Sequence, residues 1–129
     1  MKVLLVNGSP HKAGCTNRAL QEAAGTLNQE GIETEIFWIG NKPIGGCIGC
    51  RKCSELGKCV FNDIVNQVRN KVHEADGFIF GPPVHYGAAS GNMTAFMDRL
   101  FYSELCGNYN RGFYMKPAAA VISARRAGT

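Results

Sequence analysis

Residues 2–20 read KVLLVNGSPHKAGCTNRAL, and the order of residue types in this stretch decides the fold. KVLLVN is a short unbroken apolar run, the pattern of a strand covered on both faces. GSPHKAGC follows as a loop rich in breakers, and TNRALQEAAGTLNQEG then takes a helical period. Thr16 is placed to cap that helix and Gly31 to end it, with Ala19, Leu20, Ala23, Ala24 and Leu27 as its buried stripe. Strand, loop and helix in direct succession make the first half of a βαβ unit.

The same alternation continues outward. Residues 32–39, IETEIFWI, read as a second strand, and residues 62–76, NDIVNQVRNKVHEAD, as a second helix. That helix buries Ile64, Val65, Val68 and Val72, and Asn62 or Asp63 caps it. GFIFG at 77–81 is a third strand and PPVHYGAASG at 82–91 a loop. NMTAFMDRLFYSEL at 92–105 is a third helix, burying Met93, Phe96, Met97, Leu100 and Phe101, and PAAAVISA at 117–124 is a fourth strand. Strands alternating with helices predict an α/β fold with a doubly wound parallel sheet in three α/β/α layers. Ligands in such sheets bind outside the carboxyl ends of the strands. The loops after strands one, three and four are therefore expected to converge.

The chain has 129 residues, 45% of them hydrophobic, which is enough for one domain with its own core and too little for two. Its net charge of +4 comes from scattered Lys and Arg, with no run longer than a pair such as Arg125–Arg126. That distribution gives no footprint for nucleic acid. The apolar run at residues 3–6 is too short for the roughly 7–15 residues of a signal-peptide core. No stretch approaches the ~20 apolar residues of a membrane span. A cytoplasmic protein is expected, and there clustered cysteines point to metal or redox chemistry rather than to disulfide staples.

Such a cluster is present. Residues 45–59, GGCIGCRKCSELGKC, place Cys47, Cys50, Cys53 and Cys59 in a Gly-rich loop of about twenty residues, a length usually tied to function. The compact run of two-residue gaps among the first three cysteines matches that of bacterial ferredoxin loops, and Gly45, Gly46, Gly49 and Gly57 supply turns. Structural zinc usually takes two cysteine pairs a dozen or more residues apart, and that separation is missing. A cluster, free or redox-active thiols, and zinc all remain open on these residues. Cys15 and Cys106 lie outside the run and read as packing.

The first loop sits at a helix start, where free N–H groups and the helix dipole favour an anion. It is neither a Walker A loop nor Gly-x-Gly-x-x-Gly. Its hydroxyls (Ser9, Thr16), amide (Asn17) and cation (Lys12) suit a terminal phosphate monoester. After strand three, Pro82 and Pro83 fix the backbone, and His85 and Tyr86 before Gly87 offer flat surfaces to a heteroaromatic ligand.

With these residues assembled, the chain resembles the NAD(P)H-dependent FMN reductase family on a flavodoxin-like fold. NGSPHKAGCTNRAL resembles the family's phosphate loop, GPPVHYGAASGNMTAFMDR its Pro-Val-Tyr-aromatic-Gly segment and following helix, and SARRAGT the loop that approaches the flavin. His85 stands where the family usually has Tyr. The resemblance implies that Ser9, His11, Thr16 and Asn17 surround the FMN phosphate. It implies that Pro83, Val84, His85, Tyr86 and Gly87 line the isoalloxazine, with Ser123, Arg125 and Arg126 on its other side. The family continues through a fifth strand and final helix, so the resemblance implies a domain, residues 1–129, that is C-terminally incomplete. The cysteine run resembles the iron–sulfur flavoprotein branch, where four such cysteines bind a 4Fe–4S cluster near FMN.

That branch implies NAD(P)H or ferredoxin as electron donor, a small-molecule acceptor, and a homodimer or homotetramer. A cluster-free NAD(P)H:flavin or quinone reductase is the alternative within the family. A non-enzymatic flavodoxin-like electron carrier is a second class, disfavoured because such carriers are usually strongly acidic. A zinc-stabilised binding module is a third.

Overall fold

In the computed structural model, which describes residues 1–109 and 111–126, the first strand is β1 (Lys2–Asn7), followed by α1 (Cys15–Gln29) and β2 (Glu33–Trp38). Three short helices follow: α2 (Cys53–Leu56), α3 (Ile64–Gln67) and α4 (Arg69–Glu74). The chain continues with β3 (Gly77–Gly81), the pair β4 (Val84–His85) and β5 (Ala88–Ala89), the long helix α5 (Gly91–Asn108), and β6 (Ala118–Ala120). The main sheet is parallel throughout, in the order β2-β1-β3-β6. That is the expected doubly wound α/β arrangement.

Because strand side chains alternate faces, β1 feeds two cores. Leu4 and Val6 pack with Val65, Val68, Val72, Phe78, Met93, Phe96 and Leu100 beneath α3, α4 and α5. Leu5 packs with Leu20 and Ala24 of α1 on the opposite face. Of the stripe expected on α1, Leu20 and Ala24 are buried, while Ala19, Ala23 and Leu27 are only partly so. Among the described residues no helix is long and apolar enough to cross a membrane.

Five local expectations are corrected. Thr16 does not cap α1: Gly14 occupies the cap position, and the Thr16 hydroxyl lies 2.7 Å from that of Ser123. The helix expected over 62–76 is interrupted at Val68, whose φ of −76° and ψ of −17° lie on the 3₁₀ side of helical. Its cap is Asp63, which accepts from the Val65 N–H at 3.1 Å. The 82–91 loop contains a two-stranded hairpin, β4–β5. The fourth strand is shorter than expected, with its end reduced to a bridge between Pro83 and Ser123. Phe101 is 38% exposed and meets Phe80 and Phe113 edge-on instead of entering the core.

Gly81 marks where α1 presses on the sheet. A Cβ there would meet Leu20 Cδ1 at 2.7 Å. Gly81→Ala is expected to cost about 1–3 kcal/mol by overpacking, and Leu20→Ala about 2–5 kcal/mol. The double variant should lose less than the sum, because truncating Leu20 makes room for the new methyl. Denaturant unfolding of the four proteins measures this, and strict additivity would contradict the contact. At the opposite end of the strands, the hydrogen bond from Lys71, with Lys2 beside it, outweighs burial and holds the Glu35 carboxyl below its usual value of 4.5. A depressed folded pKa contributes stability above about 4.5 that is lost as pH falls through the folded value. Wild type should therefore lose more stability on acidification through that range than Glu35→Gln, which chemical denaturation at several pH values would measure.

Candidate functional site

The loops after β1, β3 and β6 meet at the carboxyl edge of the sheet. Ser123 joins all three: its N–H donates to Pro82 O at 3.3 Å, its carbonyl accepts from the Val84 N–H at 2.8 Å, and its hydroxyl pairs with Thr16. Ser90 closes the seam by donating from Oγ to Gly8 O at 3.1 Å. Ser9, Thr16, Pro83, Val84 and Ser123 are thus brought together by hydrogen bonds among residues far apart in sequence.

Asn7, which the sequence reading treated only as a strand end, organises the first loop. Its side chain is fully buried. Oδ1 accepts from the Ser9 N–H at 3.0 Å, while Nδ2 faces Lys12 O at 3.3 Å and Asn17 Oδ1 at 3.4 Å. Ser9 Oγ accepts from the His11 N–H at 3.1 Å, and the Trp38 indole donates to Ser9 O at 2.7 Å. The loop is held from inside and the α1 start carries no side-chain cap. First-turn N–H groups are then open to an anion, with Lys12 exposed nearby. A buried amide ending an apolar strand was the available signal for Asn7.

The remaining expected residues lie on the rim. His85 shares a depression with Gly8, Pro10, Ser90, Gly91 and Asn92. Tyr86 and Gly87 form the hairpin tip at φ +52° and +77°, and the Tyr86 ring is fully exposed. Left-handed geometry at a tyrosine is uncommon and stores strain. His11, Arg125 and Arg126 are also exposed.

The four clustered cysteines, Cys47, Cys50, Cys53 and Cys59, line one cavity, with Ile48, Val60, Phe61 and Tyr102 among its apolar walls. Gly49 and Arg51 on either side of Cys50 are both left-handed, at φ +65° and +59°. The backbone therefore reverses on both sides of Cys50, and α2 then carries Cys53 inward, where it is buried. Burial pushes the Cys53 thiol up, with nearby Cys106 adding to the effect. A thiol so shifted is less nucleophilic, which weighs against Cys53 as a free reactive cysteine. Hydrogen bonding to Cys106 likewise raises the Tyr102 phenol. Cys106 thus neighbours Cys53 and Tyr102 but is not itself among the residues that line the cavity.

Helix α5 holds this loop. Asn92 accepts from the Ile44 N–H and donates to Lys42 O, Asp98 Oδ2 accepts from the Cys47 N–H at 2.9 Å, and Asn108 donates to Gly57 O at 2.8 Å. Arg99 is 2% exposed and donates from Nε to Cys59 Sγ at 3.2 Å. Its other nitrogens grip both oxygens of Asp63 at 2.7 and 2.9 Å. Burial opposes the guanidinium charge, but the bonds to Asp63 and Cys59 outweigh it and push the pKa up. Sequence reasoning gave Arg99 no role. The signal was a charge three residues after Phe96 on the buried stripe, which must find a partner.

Four thiols on one cavity are a donor set of the type that iron–sulfur clusters take, and the residues present fit that group. Among the described residues, no three His, Cys, Asp or Glu side chains are gathered closely enough to hold a metal ion. Asn92 belongs both to the depression beside His85 and to the anchoring of the cysteine loop. About 10 Å of helix separates it from Arg99.

The chain is similar to known proteins both in sequence and in fold. An iron–sulfur flavoprotein of Methanocaldococcus jannaschii is 42% identical over 99 residues, 77% of this chain and 51% of the relative. One from Archaeoglobus fulgidus is 34% identical over 131 residues, 99% of this chain and 62% of the relative. The chain thus spans about half the length of the first of these relatives. In fold it is similar to an NAD(P)H:quinone oxidoreductase from Methanothermobacter marburgensis, with a TM-score of 0.73 at 17% identity over 98% of this chain and 68% of the other. The model of the NADPH-dependent FMN reductase family matches residues 1–129, and the chain belongs to that family.

Proposed function

We propose that this chain is the FMN-binding part of an iron–sulfur flavoprotein, an NAD(P)H-dependent oxidoreductase in which electrons pass singly between FMN and a 4Fe–4S cluster. Cys47, Cys50, Cys53 and Cys59 are the cluster ligands. The observation that carries the reading is their convergence on one cavity, anchored to the same helix that borders the three-loop seam. When bound, FMN supplies two-electron hydride acceptance with single-electron release, and the cluster supplies a one-electron store.

The chain's residues supply binding and electrostatics. Ser9, His11, Thr16 and Asn17, with the open N–H groups of α1, bind the phosphate. Pro83, Val84, His85, Tyr86 and Gly87 border the ring from the β4–β5 side, and Ser123 locks that hairpin to the phosphate loop. Arg125 and Arg126 place positive charge where the ring gains negative charge on reduction. The cysteine cavity faces a one-electron partner of ferredoxin type, and a small molecule is the acceptor or donor at the flavin.

A second reading, a cluster-free NAD(P)H:flavin or quinone reductase, is favoured by one observation: the cysteines are not gathered closely enough to ligate a single ion. NADPH oxidation without a protein partner separates either enzyme from a non-enzymatic carrier.

The deciding measurement is FMN, iron, acid-labile sulfide and zinc per chain on protein purified without oxygen. About four iron and four sulfide beside one FMN are expected, and FMN without iron would establish the second reading. Cys50→Ala should lose the iron while keeping FMN, and retained iron would refute the ligand assignment. Arg125→Ala and Arg126→Ala should each lower the flavin midpoint potential, and unchanged potentials in both would remove those residues from the site.

A further inference from the structure

Arg99 is the buried cation of the cysteine cavity, and its hydrogen bonds are divided unequally. Nη1 and Nη2 both bond Asp63, and they also face Gly45 O at 3.3 Å and Phe61 O at 3.5 Å. Nε alone is aimed at sulfur, at Cys59 Sγ. The Phe61 ring covers the guanidinium, with Cζ 4.9 Å from its centroid. The cation is thus buried and oriented, and among the described residues it forms an ion pair with Asp63, whose side chain is 38% exposed.

We propose that Arg99 acts as a positioning residue that raises the reduction potential of the group bound by the cysteine cavity, working through Cys59, and that Asp63 moderates its charge. The inference rests on the cluster reading given above. Adding one electron in the cavity makes no bond and breaks none; it increases negative charge on the cysteine sulfurs. A cation with an N–H on one of those sulfurs stabilises the reduced form more than the oxidised one. The guanidinium itself is buried, so its charge is screened by solvent less than that of an exposed side chain. The Asp63 carboxylate, bound to the far edge of the same guanidinium, cancels part of that field.

The two partners therefore have opposite signs. Removing the Arg99 charge lowers the potential, and removing the Asp63 charge raises it. Asp63→Asn retains the α3 cap, since Asn caps as well as Asp, and its amide oxygen can still accept from Arg99. A purely structural clamp predicts no such opposition, because loosening either side of the pair would disturb the loop alike.

The test is an anaerobic dithionite titration of the iron–sulfur signal, followed by electron paramagnetic resonance, in wild type, Arg99→Gln, Arg99→Lys and Asp63→Asn. Arg99→Gln should shift the redox equilibrium about tenfold toward the oxidised form, ~59 mV for one electron. Arg99→Lys, which keeps the charge and loses the fork, should fall between it and wild type. Asp63→Asn should shift the opposite way. Equal potentials, or shifts of the same sign in Arg99→Gln and Asp63→Asn, would overturn the inference. If Arg99→Gln does not fold, Arg99→Lys below wild type and Asp63→Asn above it support the inference, and any other order overturns it. Iron counted in wild type separates the two levels: a protein without iron overturns the cluster reading itself and the inference with it.

Discussion

The burial of β1 on both faces is the constraint from which the arrangement follows. Leu4 and Val6 enter one core and Leu5 the other, each essentially free of solvent. A strand in that position needs helices above and below it, and helical crossovers make its neighbours parallel. Parallel strands put every connecting loop of one kind at the same edge. The phosphate-type loop, the hairpin and the segment around Ser123 meet for that reason.

The meeting is then held by polar groups that the sheet excludes from water. Asn7 is buried at the end of β1 and braces the first loop from within. The pairing of Thr16 with Ser123 spans 107 positions in sequence. Buried polar atoms without partners are costly, so these bonds specify one geometry of the mouth. The α1 start remains uncapped by any side chain, an arrangement that leaves its N–H groups to a ligand.

Helix α5 links the two halves of the chemistry. Its cap residue Ser90 closes the seam, and Asn92, Asp98 and Arg99 along it hold the cysteine loop. A helix is stiff over this length, so the three-loop seam and the cysteine loop keep a constant spacing. The Arg99–Asp63 pair carries the remaining load by joining α5, the α3 cap and Cys59 in one network around a buried guanidinium. Such a pair is expensive to form in place of apolar packing, which is consistent with a role beyond stability.

Strand, loop and helix order was legible because hydrophobic period is a local property. It placed β1, α1, β2, β3 and α5 and nominated the cysteine run, and the Asp63 cap was one of the two alternatives read. Its misses are of one kind. Thr16 has the composition of a cap, yet its hydroxyl goes to Ser123, a partner no local pattern names. The β4–β5 hairpin, α2 and the break at Val68 are short elements whose existence depends on what packs against them. The sequence alone determined which residues alternate, where the chain turns and which thiols lie close along it. Only the tertiary structure decided that these thiols share a cavity and that Arg99 bonds one of them, because a buried polar group takes whatever partner the packed helices bring within reach.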